Sequence, residues 1–159
     1  MKVRVKSASY INGSAEDVEA EVKRYTELLK EDIDIVFLGI GEKGHLAFND
    51  PPVADFKDDQ LVKIVELDEK CRQQQVNDGC FENLEQVPTH AIILTIPMLM
   101  RGEYLFCMVP GPTKANAVKA TLNNPIDESC PTTILRKHEN VRLYLDKQSY
   151  DIILINFYI

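Results

Sequence analysis

No run of lysine and arginine in this 159-residue chain is long enough to follow a phosphate backbone, and 25 acidic side chains against 18 basic ones leave a net charge of −7. Both features argue against a nucleic-acid partner. Nor is there an apolar run near the roughly 20 residues that a membrane span needs: the longest, Ile35–Ile40 and Ile152–Ile159, fall well short. Cys71, Cys80, Cys107 and Cys130 form no C-x-x-C pair and accompany no recognisable signal peptide, so reduced thiols, a cytoplasmic setting and no membrane association are expected. Cys/His clusters at ligand spacing are missing too, which fits a protein without a metal. With no internal repeat, low-complexity tract or flexible linker, residues 1–159 read as one domain, long enough to bury its own core.

What is present alternates between helical and strand-like patterns. Ser14 followed by Asp17 resembles a capping box, and Val18, Val22, Tyr25 and Leu29 then recur at helical spacing; a helix of about four turns is expected. Ile35-Val-Phe-Leu-Gly-Ile40 is continuously apolar, the pattern of a strand buried on both faces. Further strands are expected at Val62–Leu67, His90–Thr95, Tyr104–Val109 and Val141–Asp146, with helices at Lys114–Leu122 and Pro131–Lys137. The alternation implies a parallel α/β sheet. Asn49–Asp59, with two prolines and four aspartates, reads as an ordered loop at the active edge. The two ends fit the pattern less well. Met1–Lys6 alternates like a strand, and Ile152–Ile159 is an uncapped apolar stretch that must be covered, or is a damaged end.

The chemistry concentrates in Leu38-Gly-Ile-Gly-Glu-Lys-Gly-His-Leu-Ala-Phe-Asn-Asp-Pro51. In open α/β sheets ligands lie at the carboxyl ends of the strands, where this loop begins. Gly39, Gly41 and Gly44 allow a ligand to approach the main chain closely. His45 carries an imidazole that exchanges protons near neutrality, and Asp50, five residues on, can accept from one ring nitrogen and fix the tautomer of the other. A structural histidine suits these features equally, and at this point both readings stand. The glycines also match the dinucleotide spacing G-x-G-x-x-G, but the Pro-ended segment after His45 is not a helix that would hold a pyrophosphate. Lys114 follows Pro110-Gly-Pro-Thr at the start of an Ala-rich helix, where backbone N–H groups and the dipole favour an anion; a solvated surface lysine is the alternative. Arg72 has a planar donor fork able to reach a phosphate. His90 and His138 read as structural, and the cysteines as small buried side chains.

The string LGIGEKGHLAFNDPP resembles the signature G-x-G-x-x-G-H-[IL]-[AG]-F-N-[DE]-P of the glucosamine-6-phosphate deaminase (isomerase) family. The likeness continues through VPTHAIILTIPMLM, VPGPTKANAVKATL and CPTTILRKH…LYLD, from about residue 10 to about residue 146. The resemblance implies a Rossmann-like parallel sheet with helices on both faces, of the NagB/RpiA-like kind. It also implies cofactor-free and metal-free conversion of glucosamine 6-phosphate to fructose 6-phosphate and ammonia in amino-sugar catabolism. Carried over residue by residue, His45 becomes the ring-opening acid/base and Asp50 its carboxylate partner. Gly41 and Gly44 become substrate-contacting backbone, Lys114 the phosphate ligand with Gly111 and Thr113 beside it, and Arg72 a second anion contact.

Two departures from the pattern stand out. Lys43 replaces the Asn or Asp common in relatives, and a cation two residues before His45 opposes imidazolium formation. Nothing in Met1–Asp34 resembles the family's preceding half, which holds a Gly/Thr-rich phosphate loop and the aspartate that takes the C2 proton. The expectation is therefore a partial fold, weakly active or inactive alone unless Glu42 replaces that base, and prone to form a homo-oligomer or to pair with a complementing N-terminal segment. Alternatives are a 6-phosphogluconolactonase-like hydrolase, against which Phe48-Asn49-Asp50-Pro51 argues, a non-catalytic sugar-phosphate-binding fragment, and the product of a broken reading frame.

Overall fold

A computed structural model describes residues 5–154. Val5 and Lys6 lie in no strand; the rest of the strand expected at Met1–Lys6 and the last five residues of the apolar end lie outside the described residues. The first helix, α1, runs Val18–Leu28 and is three turns long, one shorter than expected. It starts later because Asp17, not Ser14, is its cap: the Asp17 carboxylate accepts from the Ala20 N–H at 2.9 Å. The one buried residue of α1 is Glu21, whose carboxylate accepts from the Asn12 N–H and from Arg24 Nε, both at 2.7 Å.

Five strands follow where the apolar patterns place them: β1 Ile35–Leu38, β2 Val62–Glu66, β3 His90–Leu94, β4 Tyr104–Val109 and β5 Val141–Leu145. They do not form one sheet. β1, β4 and β5 make a parallel sheet in the order β1-β4-β5, with Ile35 opposite Tyr104 and Leu105 opposite Val141. β2 and β3 form a separate antiparallel ribbon, Val62 opposite Leu94 and Glu66 opposite His90. Alternation cannot distinguish these arrangements, because a half-buried strand has the same period whichever way its neighbour runs.

Between the strands lie α2 (Glu69–Asn77), α3 (Ile96–Leu99) and α4 (Ala115–Asn123), and α5 (Lys147–Leu154) follows β5. The helix expected at Pro131–Lys137 is a 3₁₀ helix over those same residues. One face of the parallel sheet presents Leu105, Cys107 and Val109 of β4 to Ala117 and Val118 of α4 and to Ile134 and Leu135 of the 3₁₀ segment, and this is the main core. A smaller cluster of Val65, Leu67, Cys71 and Ile93 ties α2 to the ribbon.

The other face of the sheet corrects the expectation of a first strand buried on both sides. Ile35 and Phe37 are 48% and 69% exposed, and Tyr104, Met108 and Tyr144 are exposed beside them. Phe37 stacks on Phe106 at 5.6 Å between ring centroids, and Phe106 meets Tyr144 at 6.3 Å, an aromatic ladder crossing all three strands. Among the described residues the helices cover one face only, and β1 forms the sheet's edge. A continuous apolar run is what a strand covered on both sides requires; the run is present, and the second cover is not among these residues.

Candidate active site

The site forms where β1 ends. Gly41 to Gly44 close a tight turn, with Gly44 N–H donating to Gly41 O at 2.9 Å and Gly41 N–H donating to His45 O at 3.0 Å. A side chain at Gly41 would fall on the imidazole of His45, with Nε2 nearest. The glycine there makes room for the His45 ring, and it also lines the cavity that holds His45. Gly44 has φ +74°, and a Cβ on it would meet Cys130 Sγ at 2.7 Å; its carbonyl accepts from the Thr132 N–H at 2.9 Å. This glycine anchors the loop to the 3₁₀ segment, with a backbone conformation that a β-carbon disfavours.

Within the loop, His45 and Asp50 are brought together: Nδ1 lies 2.7 Å from Asp50 Oδ1, with the residues 5% and 8% exposed. Burial would raise the Asp50 carboxyl. The His45 hydrogen bond, the His45 charge, the Cys71 thiol and the Lys43 charge together outweigh it and hold the carboxyl below its ordinary range. Cys71 is in turn pushed up to about 12 by burial and by Asp50, so it stays a thiol. Lys43 is turned to Asp68, 3.2 Å from its carboxylate.

Sequence reasoning missed Asn49, which is fully buried and holds this loop in place. Its Nδ2 donates to Leu46 O and to Leu94 O, both at 2.9 Å, stapling the loop to the end of β3. Asn49 Oδ1 has no hydrogen-bond partner among the described residues. The signal available in the sequence was an amide between His45 and Asp50, in a loop that needs a buried polar tie.

His45 and Lys114 line the same cavity, of about 480 Å³. Gly39, Gly41 and Ala47 bring backbone to it; Ile40, Phe48, Ile93 and Leu94 supply apolar lining. Lys114 sits between a 3₁₀ turn (Pro112–Lys114) and α4, a helix start without a side-chain cap, and Glu42 Oε1 lies 3.9 Å from its Nζ. Among the described residues no carboxylate lines this cavity, and Lys114 is its one basic side chain apart from His45. Gln74 and Gln75 of α2 also line it.

Arg72 is not brought to the cavity. Its guanidinium donates to Leu84 O at 2.7 Å and to Val87 O at 2.9 and 3.2 Å, closing the loop after α2. The planar fork that suggested a phosphate contact serves backbone carbonyls. His138 Nε2 lies 2.8 Å from Gly102 O and His90 lies on the ribbon, and neither is among the residues lining the cavity. Among the described residues no group of three or more His, Cys, Asp or Glu side chains is placed to hold a metal, and no helix is long and apolar enough to cross a membrane.

Residues 2–144 match the family model described as glucosamine-6-phosphate isomerases/6-phosphogluconolactonase. A glucosamine-6-phosphate deaminase of Bacillus cytotoxicus is 40% identical over 144 residues, covering 89% of this chain and 53% of the relative. One of Listeria monocytogenes is 40% identical over 139 residues, 87% of this chain and 57% of its own length. Among solved structures, a monomeric glucosamine-6-phosphate deaminase superposes with a TM-score of 0.82 at 33% identity, over 89% of this chain and 58% of that one. The 6-phosphogluconolactonase of Trypanosoma brucei superposes at 0.59 and 19% identity, over 88% and 57%, a likeness of fold. The chain thus spans about half the length of the curated relatives it matches.

Proposed function

The chain belongs to the glucosamine-6-phosphate isomerase/6-phosphogluconolactonase family, and from that premise we propose that its cavity takes glucosamine 6-phosphate and opens the sugar ring as the first step toward fructose 6-phosphate and ammonia. The observation that carries this reading is the shared cavity of His45 and Lys114, with Asp50 bonded to the far nitrogen of the imidazole. With Asp50 ionised, Nδ1 carries the proton it donates, and Nε2 is the nitrogen left to exchange protons. Nε2 takes the anomeric hydroxyl proton and returns a proton to the ring oxygen, giving the open aldehyde. Removing the C2 proton and protonating C1 then gives an imine at C2, which water hydrolyses to fructose 6-phosphate and ammonia. Lys114 and the start of α4 hold the phosphate. Gly41 and Gly44 shape this site by seating the imidazole and locking the loop. The route calls for no metal and no cofactor.

The C2 step needs a carboxylate base, and among the described residues the cavity lining contains none. In this reading the base comes from a complementing segment corresponding to the part of the relatives that the chain does not match, or from Glu42 at the rim. The same segment, or a second copy in a homo-oligomer, covers the open aromatic face of the sheet, and the protein works in the cytoplasm. The missing carboxylate also favours a second reading, 6-phosphogluconolactone hydrolysis, in which one imidazole activates water and no C–H bond is broken.

One assay separates these readings. The chain is mixed with glucosamine 6-phosphate or, separately, with 6-phosphogluconolactone, alone and with the unmatched part of the Bacillus cytotoxicus relative, and ammonia, fructose 6-phosphate and lactone hydrolysis are followed. Turnover that appears or rises with the added part, and is lost in His45→Ala, supports the deaminase reading. Lactone hydrolysis without ammonia release replaces it with the second, and turnover indifferent to His45→Ala removes the imidazole from the mechanism.

A further inference from the structure

The cavity that holds His45 and Lys114 has a polar contribution from a second element that neither the ring-opening step nor the anion contact uses. Gln74 and Gln75 lie on α2, at i+3 and i+4 from Cys71, so the three residues share one face of the helix. Cys71 is buried and fixes that face inward, and both glutamines line the cavity.

α2 is held firmly enough to make these amides part of a formed site. Its cap, Asp68, accepts from the Cys71 N–H at 2.6 Å, and the same carboxylate pairs with Lys43 in the His45 loop at 3.2 Å. Arg72 ties the other side of the helix to the carbonyls of Leu84 and Val87. The amides therefore keep their position relative to His45 through a helix bonded on two sides, one of them the catalytic loop.

Their chemistry complements what the cavity otherwise contains. Gln74 Nε2 donates to Asp78 Oδ2 at 3.3 Å, which leaves its carbonyl oxygen to accept, while Gln75 has no side-chain hydrogen bond to a described residue. A carboxamide both donates and accepts, as a sugar hydroxyl does, and it adds no charge to a cavity whose cation is Lys114. The remaining lining, Phe48 with Ile40, Ile93 and Leu94, suits the C–H face of a sugar.

The geometry points to Gln74 and Gln75 as specificity-determining residues that read the hydroxyl groups of the sugar, while Lys114 holds the phosphate. This assignment rests on the sugar-phosphate reading above. It divides recognition between two elements: α4 and the turn before it select for the anion, and α2 selects for the polyol.

The test is calorimetric titration of the full chain with two probes, glucosamine 6-phosphate and inorganic phosphate, for the unaltered protein, Lys114→Met, and the double variant Gln74→Met/Gln75→Met. Methionine keeps side-chain length and helix propensity, and thermal unfolding checks that α2 survives. The expected result is a fall in sugar-phosphate affinity of roughly three- to tenfold for each amide removed, phosphate affinity unchanged within about twofold, and loss of both in Lys114→Met. Sugar-phosphate affinity that survives the double substitution overturns the assignment and leaves the proposed function standing. An equal loss of both probes also overturns it, because the amides then act through the fold. No binding of the sugar phosphate by the unaltered chain overturns the proposed function and this assignment with it.

Discussion

His45 Nδ1 and Asp50 Oδ1 stand 2.7 Å apart with both side chains almost sealed from solvent, and the Asp50 carboxyl is held below its ordinary value of 3.8. A carboxyl group depressed in the folded state stabilises the fold above its unfolded value, and that contribution is lost as pH falls through the lower folded value. Asp50→Asn should cost about 1 to 3 kcal/mol at neutral pH, and its gap from the unaltered protein should close below pH 3.8. Urea unfolding of both proteins across pH measures this; a gap that is constant with pH would show that the pair contributes nothing through ionisation.

Asn49 should matter more to stability than its absence from the chemistry suggests. Two hydrogen bonds from one fully buried amide hold Leu46 and Leu94 together. Asn49→Ala leaves both carbonyls without that donor and should cost about 2 to 4 kcal/mol. Asn49→Asp should cost more, since it turns a donor facing two carbonyl oxygens into a buried acceptor. Chemical denaturation ranks the two variants, and an aspartate as stable as the asparagine would refute the staple.

Much of this was open to sequence reasoning, and for a physical reason. His45 and Asp50 belong to one short turn, so their meeting depended on local geometry, and the strands declared themselves through apolar runs. The place of Lys114 at a helix start was legible because Pro110-Gly-Pro-Thr precedes an Ala-rich helix. What escaped was set by tertiary packing. The sequence of α2, Glu69–Asn77, has almost no apolar period, so nothing marked Gln74 and Gln75 as facing a cavity or Arg72 as facing carbonyls. The antiparallel pairing of β2 with β3 depends on what lies beside each strand, and the first turn of α1 moved because Asp17 outcompeted Ser14 as the cap.

Gly41 provides a test that does not depend on substrate. Because a side chain there overlaps the His45 ring, Gly41→Ala must displace the imidazole and should destabilise the protein by about 1 to 3 kcal/mol. The His45 ring proton resonances in the NMR spectrum should shift, and the Asp50 partnership should weaken. Unchanged ring resonances would mean that the imidazole does not sit where the glycine admits it.

The open aromatic face makes a prediction about association. Phe37, exposed at 69%, and Tyr144 flank Phe106 on the face of the parallel sheet that no helix among the described residues covers, and apolar area of this kind drives self-association. Sedimentation of the chain alone should depend on concentration, and Phe37→Ser with Tyr144→Ser should shift it toward the monomer. A chain that is monomeric at every concentration, with or without these substitutions, would contradict this.

In the proposed function the imidazole of His45 faces a phosphosugar whose anion is held by Lys114. Its most direct test is an NMR titration of the His45 ring resonances with glucosamine 6-phosphate, in the unaltered chain and in Lys114→Met. Saturable shifts of His45 that disappear or weaken at least tenfold in Lys114→Met are predicted; a His45 signal indifferent to the ligand while the ligand binds elsewhere would contradict the account.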